Sequence, residues 1–189
     1  MRGRRIHDAL VEAASELFQD FGYVRVSIRA IVAKAGVPKG TFYSYFSSKE
    51  ALAYLIVEQQ FEALLATLPS VCRRAFTRKL TQHFQAINMR SRGQRVSPML
   101  LLVTFAAEAP ALPPAITKRI AVGFETWSGR LADLILQARA HSYVRQGQDA
   151  HLLADFLINA WQGATIRAKC DPTGEPLGTF ARFALEILL

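Results

Sequence analysis

Nucleophiles and metal ligands are sparse in this chain, which holds two cysteines and four histidines in 189 residues. Cys72 precedes Arg73 and Arg74, cations that favour a thiolate, and Cys170 follows Lys169. Each thiol is a candidate for reaction with an oxidant or electrophile, and two cysteines do not make a disulfide scaffold. His7, His83, His141 and His151 show no metal-ligand spacing, so no metal is expected. Asp149, His151 and Asp155 cluster at the start of a helical pattern, where acids suit the helix dipole. A Walker loop, a dinucleotide glycine fingerprint, a nucleophile elbow and a zinc-hydrolase helix are all missing from the sequence. The sequence therefore predicts no catalysis and no cofactor.

A second set of residues suits recognition instead. Lys39, Gly40, Thr41, Tyr43, Ser44 and Tyr45 offer small, hydroxylic and basic groups that can enter a major groove and reach base edges and phosphates. Phe42 and Phe46 lie one helical turn apart and can pin this segment against Ile31, Val32 and Val37. Gly36, in Ala35-Gly36-Val37-Pro38, supplies the turn residue with φ above zero. Ser27 is a candidate N-cap for the helix carrying Ile28, Ile31, Val32 and Ala35. Ahead of it, Ile6, Leu10, Ala13, Leu17 and Phe21 recur at helical spacing, and Gly22 ends that helix. Three short helices, the third spanning Lys39 to Phe46, make a helix-turn-helix pattern.

The rest of the chain also reads as helix. A fourth helix starts at Ser48, runs to about Leu68 and is closed by Pro69. Further helices are predicted over Val71–Arg90, Met99–Glu108, Ala115 to about Ala140, Asp149–Lys169 and Glu175–Leu189, with a loop over Ser91–Pro98. Strand alternation is missing, so the expected fold is all-α with about nine helices. Residues 1–50 would form a helix-turn-helix domain and residues 51–189 a helical body. Neither a signal peptide nor a membrane span is expected, which points to the cytoplasm. The net charge of +8 divides as +3 in residues 1–55, +4 in 56–110 and +1 in 111–189. A basic balance suggests an anionic partner.

Residues 22–52, GYVRVSIRAIVAKAGVPKGTFYSYFSSKEAL, closely resemble the DNA-binding domain of the TetR/AcrR family of bacterial repressors. The cues are the Gly-aromatic after the first helix, Ser-x-Arg opening the second and Ala-Gly-Val before the third. Lys-Gly-Thr-Phe-Tyr-x-Tyr-Phe and Ser-Lys-Glu-x-Leu complete the series. The resemblance implies base or phosphate contacts from Arg29, a phosphate-contacting cap at Ser27, and base readout by Lys39, Gly40 and Thr41. It further implies backbone contacts from Tyr43 and Tyr45, and a phosphate contact from Lys49 at a helix start. Ser44 lies on the same surface, and Arg4 and Arg5 could reach phosphate as an arm. Val26 and Ala30 depart from the family's usual Thr and acidic residue, and Ala30 leaves the capping box incomplete.

The resemblance also implies a homodimer on a palindromic double-stranded DNA operator, released by a small hydrophobic or reactive effector. The last two helices are the expected dimer interface, with Leu152, Phe156, Ala160 and Gly163 on one and Phe180, Phe183 and Ile187 on the other. An effector cavity is expected to draw on Phe84, Ile87, Leu102, Phe105, Phe124, Trp127 and Trp161, with Gln85, Asn88, Asn159 and Gln162 as polar anchors. Residues 160–180 faintly resemble the branch of the family that senses electrophiles and oxidants, which would give Cys72 or Cys170 a role. The rival reading is a helical small-molecule carrier or enzyme with a basic surface.

Overall fold

The computed structural model describes residues 2–70, 76–88, 96–171 and 173–185. Cys72, Arg73, Arg74, Arg90, Arg92, Arg95 and Ile187 lie outside these residues. So do the ends of the predicted fifth and last helices and most of the predicted loop over 91–98.

The described residues form nine α-helices and no strands. α1 (Arg2–Phe21) is long, and its apolar side buries Leu10, Ala14 and Phe18. Gly22 ends it with φ 80°. α2 (Ile28–Ala35) is capped by Ser27, whose hydroxyl oxygen accepts from the Ala30 N–H at 3.2 Å. Its other end closes on Gly36 at φ 68°, a conformation that costs any side chain with a Cβ. α3 (Lys39–Tyr43) is shorter than the sequence predicts; Ser44 keeps a right-handed helical conformation, and the chain closes in a last turn with the Phe46 N–H donating to the Phe42 carbonyl at 2.9 Å. Phe46 is still buried beside Phe42, with ring centroids 5.8 Å apart.

α4 (Lys49–Ala66) starts on a second serine cap, Ser48 to Ala51 N–H. α5 (Phe76–Asn88), α6 (Pro98–Ala107), α7 (Pro114–Ala140) and α8 (Ala150–Ala168) build the body. Serine and aspartate caps at Ser97 and Asp149 open α6 and α8. α9 (Glu175–Phe180) ends early, and Ala181–Leu185 widens into a π-helical turn where sequence periodicity predicts unbroken helix.

α6 is apolar apart from Thr104 and is largely enclosed. It packs on α1, α4, α5 and α8, and Met99, Leu101, Leu102 and Phe105 are fully buried. α7 packs on α4 and α8, and a salt bridge from Arg119 to Glu58 at 3.3 Å crosses the α7–α4 seam. One contiguous apolar cluster runs from Leu10 on α1 to Phe180 on α9. No described helix is long and apolar enough to cross a membrane.

Candidate nucleic-acid interface

α3 presents one face to its own chain and the rest to solvent. Phe42 is fully buried, while Lys39, Gly40, Tyr43 and Ser44 are exposed and Thr41 is half-buried. A Cβ on Gly40 would point into open space. Ser27 and Arg29 are exposed beside this helix, at the start of α2. Tyr45 is half-buried, edge-on to the His7 ring at 6.3 Å. A salt bridge from Lys34 to Glu16 at 2.8 Å ties α2 to α1.

Lys49 is differently placed. Its Nζ donates to the Tyr23 and Val26 carbonyls, each at 2.9 Å, and lies 4.0 Å from the centre of the Tyr23 ring. An ammonium has three N–H groups, so one remains for an outside anion. Burial holds the Lys49 pKa below the ordinary lysine value, opposed by the nearby Glu108 carboxylate. Lys49 therefore braces the turn between α1 and α2 from the start of α4.

Glu108, just past the end of α6, braces the same turn from the body. Its Oε2 accepts the Tyr23 N–H at 2.7 Å and the Val24 N–H at 3.2 Å. Gly22 permits the approach, since a Cβ there would collide with the carboxylate. At the other end of α6, the Ser97 N–H donates to Gln19 Oε1 on α1 at 2.7 Å. α6 is thus fastened at one end to the α1–α2 turn and at the other to α1. Sequence reasoning passed over Glu108 and Gln19. The available signal was a lone acid closing the apolar run Met99–Ala107.

The residues expected to line an effector cavity do not assemble together. Phe84 and Trp161 line a cavity of about 320 Å³ between α5, α8 and α9, with Gln85 and Asn88. Ile87, Leu102, Phe105 and Trp127 are instead close-packed core. Phe105 contacts Phe18 and Tyr23 at the domain junction, with centroids 5.6 and 6.0 Å away. Trp127 Nε1 donates to His83 Nε2 at 3.1 Å. Phe124 is half-buried and lines a separate cleft with Asn159 and Gln162.

The outer face of α8 and the end of α9 carry large apolar side chains in solvent. Leu152 is 68% exposed, Phe156 52% and Phe183 65%, with Gly163 exposed and Ala160 half-buried among them. Phe180, expected on this face, is mostly buried with its ring 4.8 Å from that of Trp161, and it also lines the groove here with Phe156, Ala160 and Phe183. Cys170 is a free, exposed thiol just past α8. Among the described residues, no cluster of His, Cys, Asp and Glu could hold a metal.

Comparison with known proteins decides the family. Residues 10–54 match the model for bacterial regulatory proteins of the tetR family, and residues 101–184 match a tetracyclin repressor-like C-terminal domain. The HTH-type transcriptional repressor DhaR of Mycobacterium sp. strain GP1 is 33% identical over 187 residues, covering 97% of this chain and 92% of DhaR. The chain belongs to the TetR family. The transcriptional regulator AcuR of Cereibacter sphaeroides is 30% identical, covering 93% of this chain and 82% of its own. The crystal structure of a TetR regulatory protein from Rhodobacter sphaeroides superposes with a TM-score of 0.79 at 27% identity, covering 95% of this chain and 96% of that one. This TetR-family chain is thus a DNA-binding transcriptional regulator, a non-enzymatic class.

Proposed function

We propose that the chain represses transcription as a homodimer on a palindromic double-stranded DNA operator and lets go when a small hydrophobic or reactive effector binds. Residues 1–50 read DNA and residues 51–189 pair the protomers and sense the effector. The observation that carries this reading is the exposed group Lys39, Gly40, Tyr43 and Ser44, with half-buried Thr41 among them, around a helix pinned from behind by Phe42 and Phe46. Lys39, Gly40 and Thr41 read base edges. Ser27, Arg29, Tyr43, Ser44, Tyr45 and the third N–H of Lys49 hold phosphate and sugar.

The exposed side chains Leu152, Phe156 and Phe183, with the small residues Ala160 and Gly163, support pairing of α8 and α9 with a second copy. Ile187, also expected at this interface, lies outside the described residues. Repression is relieved when the body changes the spacing of two recognition helices. α6, tied to α1 through Gln19 and to the α1–α2 turn through Glu108, carries that change. DNA and effector then oppose one another reciprocally, typically by about 1–3 kcal/mol.

The test is binding of the purified protein to DNA flanking its own gene, read by gel shift and by fluorescence anisotropy against salt. Saturable binding that weakens steeply with salt and changes its sequence preference with Lys39→Ala supports the reading. Binding indifferent to salt and to Lys39 would sink it.

A further inference from the structure

Trp161 and Trp127 are the two tryptophans of the chain, and both are buried. Their indole N–H groups fare differently. That of Trp127 donates to His83. That of Trp161, 2% exposed, has no hydrogen-bond partner among the described residues. A buried donor without an acceptor is a costly state that folded proteins ordinarily avoid. Trp161 also lines the cavity between α5, α8 and α9.

We propose that this cavity binds a small, neutral, apolar molecule carrying a hydrogen-bond acceptor such as a carbonyl oxygen, which accepts from the Trp161 indole N–H. The inference rests on the effector reading above and names the chemistry of that effector. Its walls are aromatic: Phe84, Trp161 and Phe180 stand with ring centroids 4.8 to 5.5 Å apart. They suit a flat apolar body, and about 320 Å³ lies at the small end of ligand cavities. The described lining contains no Lys, Arg, Asp or Glu, so an ionised ligand would lose its hydration without gaining a counter-charge. Asn88 adds a second donor, because its amide oxygen accepts from Thr165 Oγ1 and its NH₂ remains.

The same cavity is placed to move the dimer face. Phe180 is a wall shared with the surface groove formed by Phe156, Ala160 and Phe183. The π-helical turn begins at the next residue, Ala181, which also lines the cavity. A ligand seated against Trp161 presses on Phe180 and so on the segment that carries Phe183.

The experiment follows the indole ¹H–¹⁵N resonances of the full-length protein during titration with acetophenone, benzamide and cyclohexanone as neutral acceptors. Ethylbenzene and benzoate serve as the acceptor-free and anionic counterparts. Trp161→Phe and Trp127→Phe assign the two peaks. The expected result is a downfield shift of the Trp161 peak with at least one neutral acceptor, which binds at least tenfold tighter than ethylbenzene and benzoate. Trp161→Phe loses that tenfold preference over ethylbenzene. No shift with any neutral acceptor, or equal affinity for ethylbenzene or benzoate, overturns the proposal. Because the shift is read on unmodified protein, a poorly folding variant does not spoil the test. DNA release is scored separately by gel shift. Binding without release overturns the effector reading and leaves the cavity assignment standing. Release without movement of the Trp161 peak overturns the cavity assignment alone.

Discussion

Glu108 Oε2 accepts the backbone N–H of Tyr23 at 2.7 Å, across 85 residues of sequence and across the junction between the reading domain and the body. The next N–H, of Val24, donates to the same oxygen. One carboxylate thereby satisfies two N–H donors of the turn that follows α1, and Lys49 satisfies two carbonyls of the same turn. The turn that orients α2 and α3 is therefore held from both sides by charged groups.

Glu108→Ala is expected to lower stability by about 1–3 kcal/mol, the usual cost of orphaning partly buried donors. It should also weaken the coupling between effector and DNA. Urea unfolding reads the first effect and gel shifts with effector the second. An unchanged urea midpoint removes the brace from the account. Glu108→Gln, which keeps an acceptor, should fall between the two.

Lys49→Ala should weaken binding to all DNA sequences alike and lower stability as well, because the ammonium serves the α1–α2 turn before any phosphate. Lys49→Arg keeps the charge but not the two-carbonyl geometry. It should retain much of the salt dependence while still losing stability. Comparing denaturation midpoints with anisotropy curves separates the two contributions.

Changes at Lys39 or Thr41 should alter which sequence is preferred, by about 1–3 kcal/mol for each base edge that is no longer read. The wild-type log–log salt slope should be close to −0.9 per phosphate neutralised. Footprinting of Lys39→Ala on wild-type and single-base variant operators checks the first expectation, and a salt titration the second.

His83 makes stability fall in acid. Its ring is buried, and burial lowers the pKa from 6.5 to about 4, opposed by the bond to Thr67. Thr67 Oγ1 donates to the Leu64 carbonyl, so His83 Nδ1 carries the proton toward Thr67 and Nε2 accepts from Trp127. Protonating Nε2 would set two N–H groups against each other. The unfolded chain binds the proton near pH 6.5 and the folded chain only near 4. The contribution is therefore fully present above pH 6.5 and is lost as pH falls toward 4, amounting to about 3 kcal/mol. Urea unfolding from pH 7.5 to 4.5 should show this loss. His83→Phe should flatten the pH slope while lowering stability throughout, because the Trp127 N–H is orphaned.

Phe183→Asp should give monomers in sedimentation at micromolar protein, with the helix content of the wild type. Since Phe183 is exposed in the isolated chain, the change costs little within a protomer. A dimer that survives both Phe183→Asp and Leu152→Asp would place the interface elsewhere.

Much of the architecture is local and therefore legible in the residues. The Ser27 and Ser48 caps, the helix start at Asp149 and the stops at Gly22 and Gly36 act over a few residues, as does the pinning pair Phe42 and Phe46. Nearest-neighbour chemistry is enough to predict them. The registered series from Gly22 to Leu52 carries the family for the same reason. What the tertiary structure decided depends on groups far apart in the chain. Phe180 and Phe183 share a helical pattern, yet one is buried against Trp161 and the other stands in solvent. Trp127 and Trp161 are alike in sequence terms, yet His83 reaches only the indole N–H of Trp127. Periodicity marks a side chain as apolar and inward-facing. Which neighbour meets its one polar atom is set by packing between helices, and the brace at Glu108 and the open donor at Trp161 both belong to that level.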